Sequence, residues 1–113
     1  MLRQLLIVAC LAVCLLPASA QDDIGEFYPE RCHIPIPGDA RVDCGYLIVP
    51  ERHENPDGPT IELAVAILRA TDPTPRPDPV LYLDGGPGGS ALSTLDGWVD
   101  YDLTRDRDLI LLD

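Results

Sequence analysis

The sequence contains no lysine, and its charge runs one way: nineteen Asp and Glu stand against eight arginines, a formal net charge of −11. A surface so poor in cations repels phosphate backbones and anionic headgroups, so nucleic acid and stable membrane association are not expected partners. Histidine is scarce too, with only His33 and His53, and there is a single Trp and a single Phe. Long apolar runs are missing except at the N-terminus, where residues 5–16 follow one cation, Arg3, and lead into Pro17-Ala18-Ser19-Ala20. That run is shorter than the ~18 residues needed to span a bilayer core, and the small residues at 18 and 20 suit a signal peptidase. Residues 1–20 therefore read as a secretory signal cleaved near Ala20, giving an exported protein, periplasmic or secreted. A membrane anchor and a lipoprotein signal with Cys10 as the lipid-bearing residue are the weaker alternatives, since cleavage before Cys10 would split the apolar run.

Removing residues 1–20 takes away Arg3 and no acid, so the formal charge moves from −11 to −12. Cys10 and Cys14 leave with the leader. Cys32 and Cys44 remain as an even pair in an oxidising compartment, where one disulfide is expected. Closing so short a loop stabilises by roughly 3 kcal/mol in the chain-entropy picture. No second Cys or His pair has zinc-ligand spacing, and neither metal nor cofactor is expected.

Residues 21–41 form a lead-in, whose first ten residues are polar and acidic without a period. Residues 42–49 carry β-branched and aromatic weight closed by Pro50, a strand pattern. After the turn-rich Glu54-Asn55-Pro56-Asp57-Gly58-Pro59, residues 60–70 alternate, with Ile61, Leu63, Val65 and Ile67 on one face and Glu62, Ala64 and Ala66 on the other. Together they predict an antiparallel hairpin. Pro73, Pro75, Pro77 and Pro79 make residues 71–79 a stiff, extended linker. Val80-Leu81-Tyr82-Leu83 predicts a buried strand that runs into Asp84-Gly85-Gly86-Pro87-Gly88-Gly89-Ser90. Helical content is expected over 90–97 with Ser90 as N-cap, then a second buried strand at Leu109-Ile110-Leu111-Leu112. The expected fold class is thus α/β: an incomplete sheet opening with a hairpin, then strand, loop, helix and strand over residues 42–113. A chain ending on such a strand is expected to be a truncated domain.

Glycines in a strand-to-helix turn permit positive φ and close backbone approach, so the turn can present main-chain N–H groups to an oxyanion. Taken alone, such turns are mostly structural. The ordered set of segments is more specific. Cys44-Gly45-Tyr46-Leu47-Ile48-Val49-Pro50, the hairpin, Pro79-Val80-Leu81-Tyr82-Leu83 with its glycine loop, and Asp108-Leu109-Ile110-Leu111-Leu112-Asp113 resemble the start of the tripeptidyl-aminopeptidase and proline-iminopeptidase branch of the α/β-hydrolases. The resemblance covers nearly all of the segment after the leader. It implies a serine hydrolase acting by acyl transfer on a peptide or ester substrate, with the Gly86 N–H as one oxyanion-hole donor and with Gly85 and Pro87 shaping the loop. Pro87 has no N–H to give. Members of that branch often carry His where this chain has Asp84, which leaves main-chain donors unaffected.

The catalytic triad is not among these residues. Ser90 lies in Gly88-Gly89-Ser90-Ala91-Leu92, which lacks the second glycine of a Gly-x-Ser-x-Gly elbow, and Ser93 has no glycine frame. His33 and His53 precede every candidate nucleophile, whereas that group orders its triad Ser, acid, His, so both read as surface or loop residues. The 113 residues alone are therefore expected to be inactive. Two rivals stand beside the hydrolase. Gly86-x-Gly88-x-x-Ala91 after a strand fits a dinucleotide fingerprint with Asp113 as the ribose acid, although export, Asp84 and the preceding hairpin oppose it. A non-catalytic exported binding module would use the glycines only as a turn.

Overall fold

The computed structural model describes residues 25–113, and the expected leader, its cleavage point and Cys10 and Cys14 lie outside them. Five strands form one sheet: β1 (Phe27–Glu30), β2 (Val42–Pro50), β3 (Thr60–Leu68), β4 (Val80–Leu83) and β5 (Leu109–Leu112). Their spatial order is β1-β2-β3-β5-β4, and every neighbouring pair is antiparallel except β4 and β5. The β2–β3 hairpin pairs Val42 with Leu68 and Pro50 with Thr60, and its turn closes through Glu51 N–H to Pro59 O at 2.8 Å and Gly58 N–H to Asn55 O at 3.0 Å. The run 71–79 is exposed and irregular, as four prolines demand.

The expected α/β class is corrected by this architecture. The sheet dominates, it is mixed, and no alternation of strands with full helices is present. Between β4 and β5 the chain makes only a three-residue 3-10 turn (Leu92–Thr94), α1 (Leu95–Trp98) and α2 (Leu103–Asp106), each α segment four residues long. The sequence explains the brevity. Gly97 costs about 1 kcal/mol inside a helix relative to Ala, and Asp96, Asp100 and Asp102 are poor helix-interior residues within a few positions of it. A second difference lies in the lead-in, where β1 forms along the free edge of β2. With four residues it is too short to show a period, and it exists because Phe27 and Tyr28 pair opposite Leu47 and Tyr46.

The hairpin alternation predicted from sequence is present, but the small-residue face of β3 is the one that meets the core. Ala66 and Leu68, with Cys44, Leu109 and Leu111, pack against Ala91 and Leu95 from the post-loop turn. Alanine at 66 and 91 lets the helical segment approach the sheet closely, and Ala66, Ala91 and Leu111 are fully buried. Val80, Tyr82 and Trp98 extend this cluster toward the β4 edge, where Trp98 lies between Tyr82 (ring centroids 4.8 Å) and Tyr101 (5.3 Å). On the opposite face Leu81 and Leu83 are more than half exposed.

Cys32 and Cys44 are joined in a disulfide with Cα atoms 5.0 Å apart. It ties the residues after β1 to the first part of β2 and places sulfur in the core. Among the described residues no helix is long and apolar enough to cross a membrane.

Candidate functional site

The glycine loop leaves the sheet at the end of β4, an edge strand, and returns to the core at Ala91. Gly86 and Gly88 have φ of +78° and +91°, in the left-handed region that side chains with a Cβ rarely adopt. With Pro87 fixed between them, the backbone reverses within three residues. Gly89 is held closest: a methyl group there would stand 2.5 Å from the Gly85 carbonyl oxygen and 2.7 Å from Asp84 Oδ2. The loop is therefore folded back onto its own start.

Two carboxylates fasten it. Asp84 Oδ1 accepts the Gly85 N–H at 2.8 Å, and the Tyr82 hydroxyl lies 3.4 Å from the same oxygen. At the other end Asp113, just past β5, accepts the Ser90 hydroxyl at 2.6 Å, the Ala91 N–H at 2.5 Å and the Leu92 N–H at 3.4 Å. Its own backbone is paired to Ala64 of β3 in both directions. Ser90 Oγ also accepts the Ser93 N–H at 3.2 Å, although the N-cap position of the 3-10 turn is Ala91 and not the expected Ser90. Among the described residues no acceptor takes the N–H groups of Gly86, Gly88, Gly89 or Ser90, whereas those of Gly85, Ala91 and Leu92 are engaged.

The arrangement decides what the loop can do chemically. The Gly86 N–H is free to meet an oxygen from outside the chain. The start of the helical turn is not, because the Asp113 carboxylate already fills it. A pyrophosphate bound as the dinucleotide fingerprint requires would meet Asp113 on one side and Asp84 on the other. Nor is Asp113 free to receive a ribose hydroxyl.

Of the residues singled out from sequence, Gly85, Gly86 and Pro87 come together in the loop, while Cys32, after β1, and Cys44, on β2, form the disulfide away from it. His33 is exposed and faces Glu30 at 3.8 Å, and His53 is exposed in the β2–β3 turn. Ser90 is bonded to a carboxylate and Ser93 Oγ donates to Ser90 O at 2.8 Å, so neither serine has an imidazole to take its proton. Among the described residues no three His, Cys, Asp or Glu side chains cluster as metal ligands.

The clamp by Asp113 and the fold-back of Asp84 were not visible in the sequence, because each is a contact set by register. The same holds for a second charged cluster. Arg69, just past β3, bonds Asp43 of β2 (2.6 Å) and Asp108 (2.6 Å), and Asp108 also accepts the Ala70 N–H at 2.8 Å. Burial pushes the Asp108 carboxyl up, but the Ala70 N–H and Arg69 outweigh it and hold it below the usual carboxylate range. Those two carboxylates raise the Arg69 guanidinium in turn. Beside the linker, hydrogen bonding from Arg107 lowers Asp78.

Compared with known protein families, curated proteins and solved structures, the chain matches none.

Proposed function

We propose that these residues form the oxyanion-binding part of an exported serine hydrolase, of peptidase type, acting by acyl transfer on a peptide or ester carbonyl. The observation that carries the reading is the unpartnered Gly86 N–H, set at positive φ in a glycine loop whose flanking Gly85, Ala91 and Leu92 N–H groups are taken by Asp84 and Asp113. In the reaction a serine Oγ attacks the carbonyl carbon while a histidine takes its proton. The carbonyl oxygen becomes the anion that Gly86 stabilises, and collapse of the intermediate expels the protonated leaving group. Water then releases the acyl group by the same steps. A main-chain donor of this kind meets charge that exists only in the transition state and contributes about 10²–10³ in rate. Serine, acid and histidine would come from residues other than these. Export is supported by the disulfide together with the leader pattern of residues 1–20. No geometric feature favours the dinucleotide alternative.

A fluorophosphonate probe tests the assignment. The 113-residue chain should neither take up the probe nor turn over p-nitrophenyl acetate or aminoacyl anilides. The product of the complete reading frame should be labelled on a serine within Gly-x-Ser-x-Gly. Labelling of Ser90 or Ser93, or no labelled serine in the complete product, overturns the proposal.

A further inference from the structure

We propose that Asp113 is a positioning residue for the Gly86 donor: it fixes the direction of that N–H from the end of β5, through Ser90, Gly89 and the Gly85 carbonyl. The inference rests on the oxyanion reading for its purpose, while its geometry stands independently.

The coupling follows bond by bond. Asp113 is itself immobilised, since its N–H and carbonyl both pair with Ala64 of β3. Its side chain accepts the Ser90 hydroxyl and the Ala91 and Leu92 N–H groups, so the first turn after the loop is tied to the sheet by one anion with three donors. Gly89 is the residue immediately before that anchor. It lies so near the Gly85 carbonyl oxygen that even a methyl group would come within 2.5 Å of it. Gly85 C=O and Gly86 N–H are the two ends of one planar, trans peptide unit. Whatever holds the carbonyl therefore aims the N–H in the opposite direction. Asp84 holds the preceding unit through the Gly85 N–H at 2.8 Å, leaving the Gly85–Gly86 plane as the one element whose tilt depends on the Gly89 contact.

Leu81 and Leu83 are exposed on an edge strand, but nothing shows what covers them. The cavity lined by Tyr28, Glu30, Tyr46, Ile48 and Glu62 is an open acidic recess without a bound or orphaned group.

The test is amide NMR on the 113-residue chain with Asp113→Ala, Asp113→Asn, Ser90→Ala and Gly89→Ala. In Asp113→Ala, hydrogen exchange at Ala91 and Leu92 should accelerate by about 10- to 100-fold, the factor of a charge-assisted hydrogen bond. The Gly86 and Gly88 amide signals should shift or broaden, while exchange at Ala66 and Leu111 stays unchanged. Asp113→Asn keeps an acceptor without the charge and should fall between Asp113→Ala and the parent chain. Gly89→Ala should move the Gly86 signal with Asp113 intact. If Asp113→Ala does not fold, the other three variants decide by the same readouts.

Unchanged Gly86 and Gly88 signals in the Asp113 and Ser90 variants would overturn the proposal, as would equal acceleration at Ala66 and Leu111, which marks general destabilisation. None of these readouts depends on turnover. A chain without hydrolase activity but with a coupled loop fails the functional reading alone; a labelled serine with an uncoupled loop fails this inference alone.

Discussion

Reducing the Cys32–Cys44 bond should cost this small sheet a large share of its stability, and the amount can be worked from the chain. The two cysteines are 12 residues apart. Chain entropy for a closed loop of that size gives about 3 kcal/mol at 25 °C. Folded domains hold only ~5–15 kcal/mol in total, and for a domain of this size each kcal/mol moves Tm by about 4–8 °C. Reduction with a phosphine is therefore expected to lower Tm by roughly 12–24 °C. The loss should begin locally. β1 is an edge strand that pairs with β2, and Ile34 reaches the core from the segment that the disulfide staples down. Hydrogen exchange in residues 27–41 should rise before that of β3 and β5. Trp98, the single tryptophan, sits between Tyr82 and Tyr101 toward the opposite edge of the sheet and reports global unfolding by fluorescence in a guanidinium titration. A midpoint that moves by less than the equivalent of ~0.5 kcal/mol would refute the argument, because the unfolded state would then gain almost no freedom from the broken link. Reduction on the oxidised protein is the cleaner perturbation, since replacing buried Cys44 would add a packing change to the lost link.

Gly45→Ala should unseat β1, because the new methyl would stand 2.2 Å from Tyr28 O and 2.6 Å from the Phe27 ring; loss of the β1–β2 cross-peaks by NMR checks it. Leu111→Ala removes a fully buried side chain from the centre of the core and should destabilise by about 3–5 kcal/mol in urea titration, a cost near zero marking a core that collapses freely. Gly86→Ala should cost about 1–2 kcal/mol through its φ of +78°, whereas Gly85→Ala, with open space and no positive φ, should be near neutral; equal effects would contradict the backbone geometry. Because the folded Asp108 carboxyl is held low, its contribution is present above the unfolded value of about 3.9 and is lost as pH falls through the folded one. Asp108→Asn should therefore be less stable than the parent chain at neutral pH and converge with it toward pH 2, and parallel urea midpoints across that range would contradict the assignment.

The strands were the legible part of the fold. Runs such as Leu109-Ile110-Leu111-Leu112 and the alternation from Ile61 to Ile67 carry their period openly, and the proline stops at 50 and 79 mark the boundary. What period could not tell is which face is covered. Bulk suggested nothing, and the answer depended on Ala66 and Ala91 allowing a close approach that Ile61 or Leu63 would forbid. β1 escaped notice because four residues carry no period, and its partner is ten or more residues downstream. Helical content is lower than the pattern suggests for a local reason: Ser90 bonds the Ser93 N–H, but Gly97 and the aspartates after it stop the turn from propagating.

The candidate site divides along the same line. Glycines at 85, 86, 88 and 89 announce a loop with positive φ, and the structure places that φ at Gly86 and Gly88. A donor, however, is a direction, and direction is set by contacts between residues that no spacing rule connects. The pattern that admits a dinucleotide fingerprint also contains Asp113, and read as a string that acid supports cofactor binding. In space the same carboxylate occupies the start of the helical turn and takes the N–H groups a pyrophosphate would need. One residue thus argues in opposite senses before and after folding. The physical reason is that a helix start offers its N–H groups once: an internal anion that satisfies them leaves recognition of an incoming oxygen to the unsatisfied N–H groups within the glycine loop, Gly86 among them.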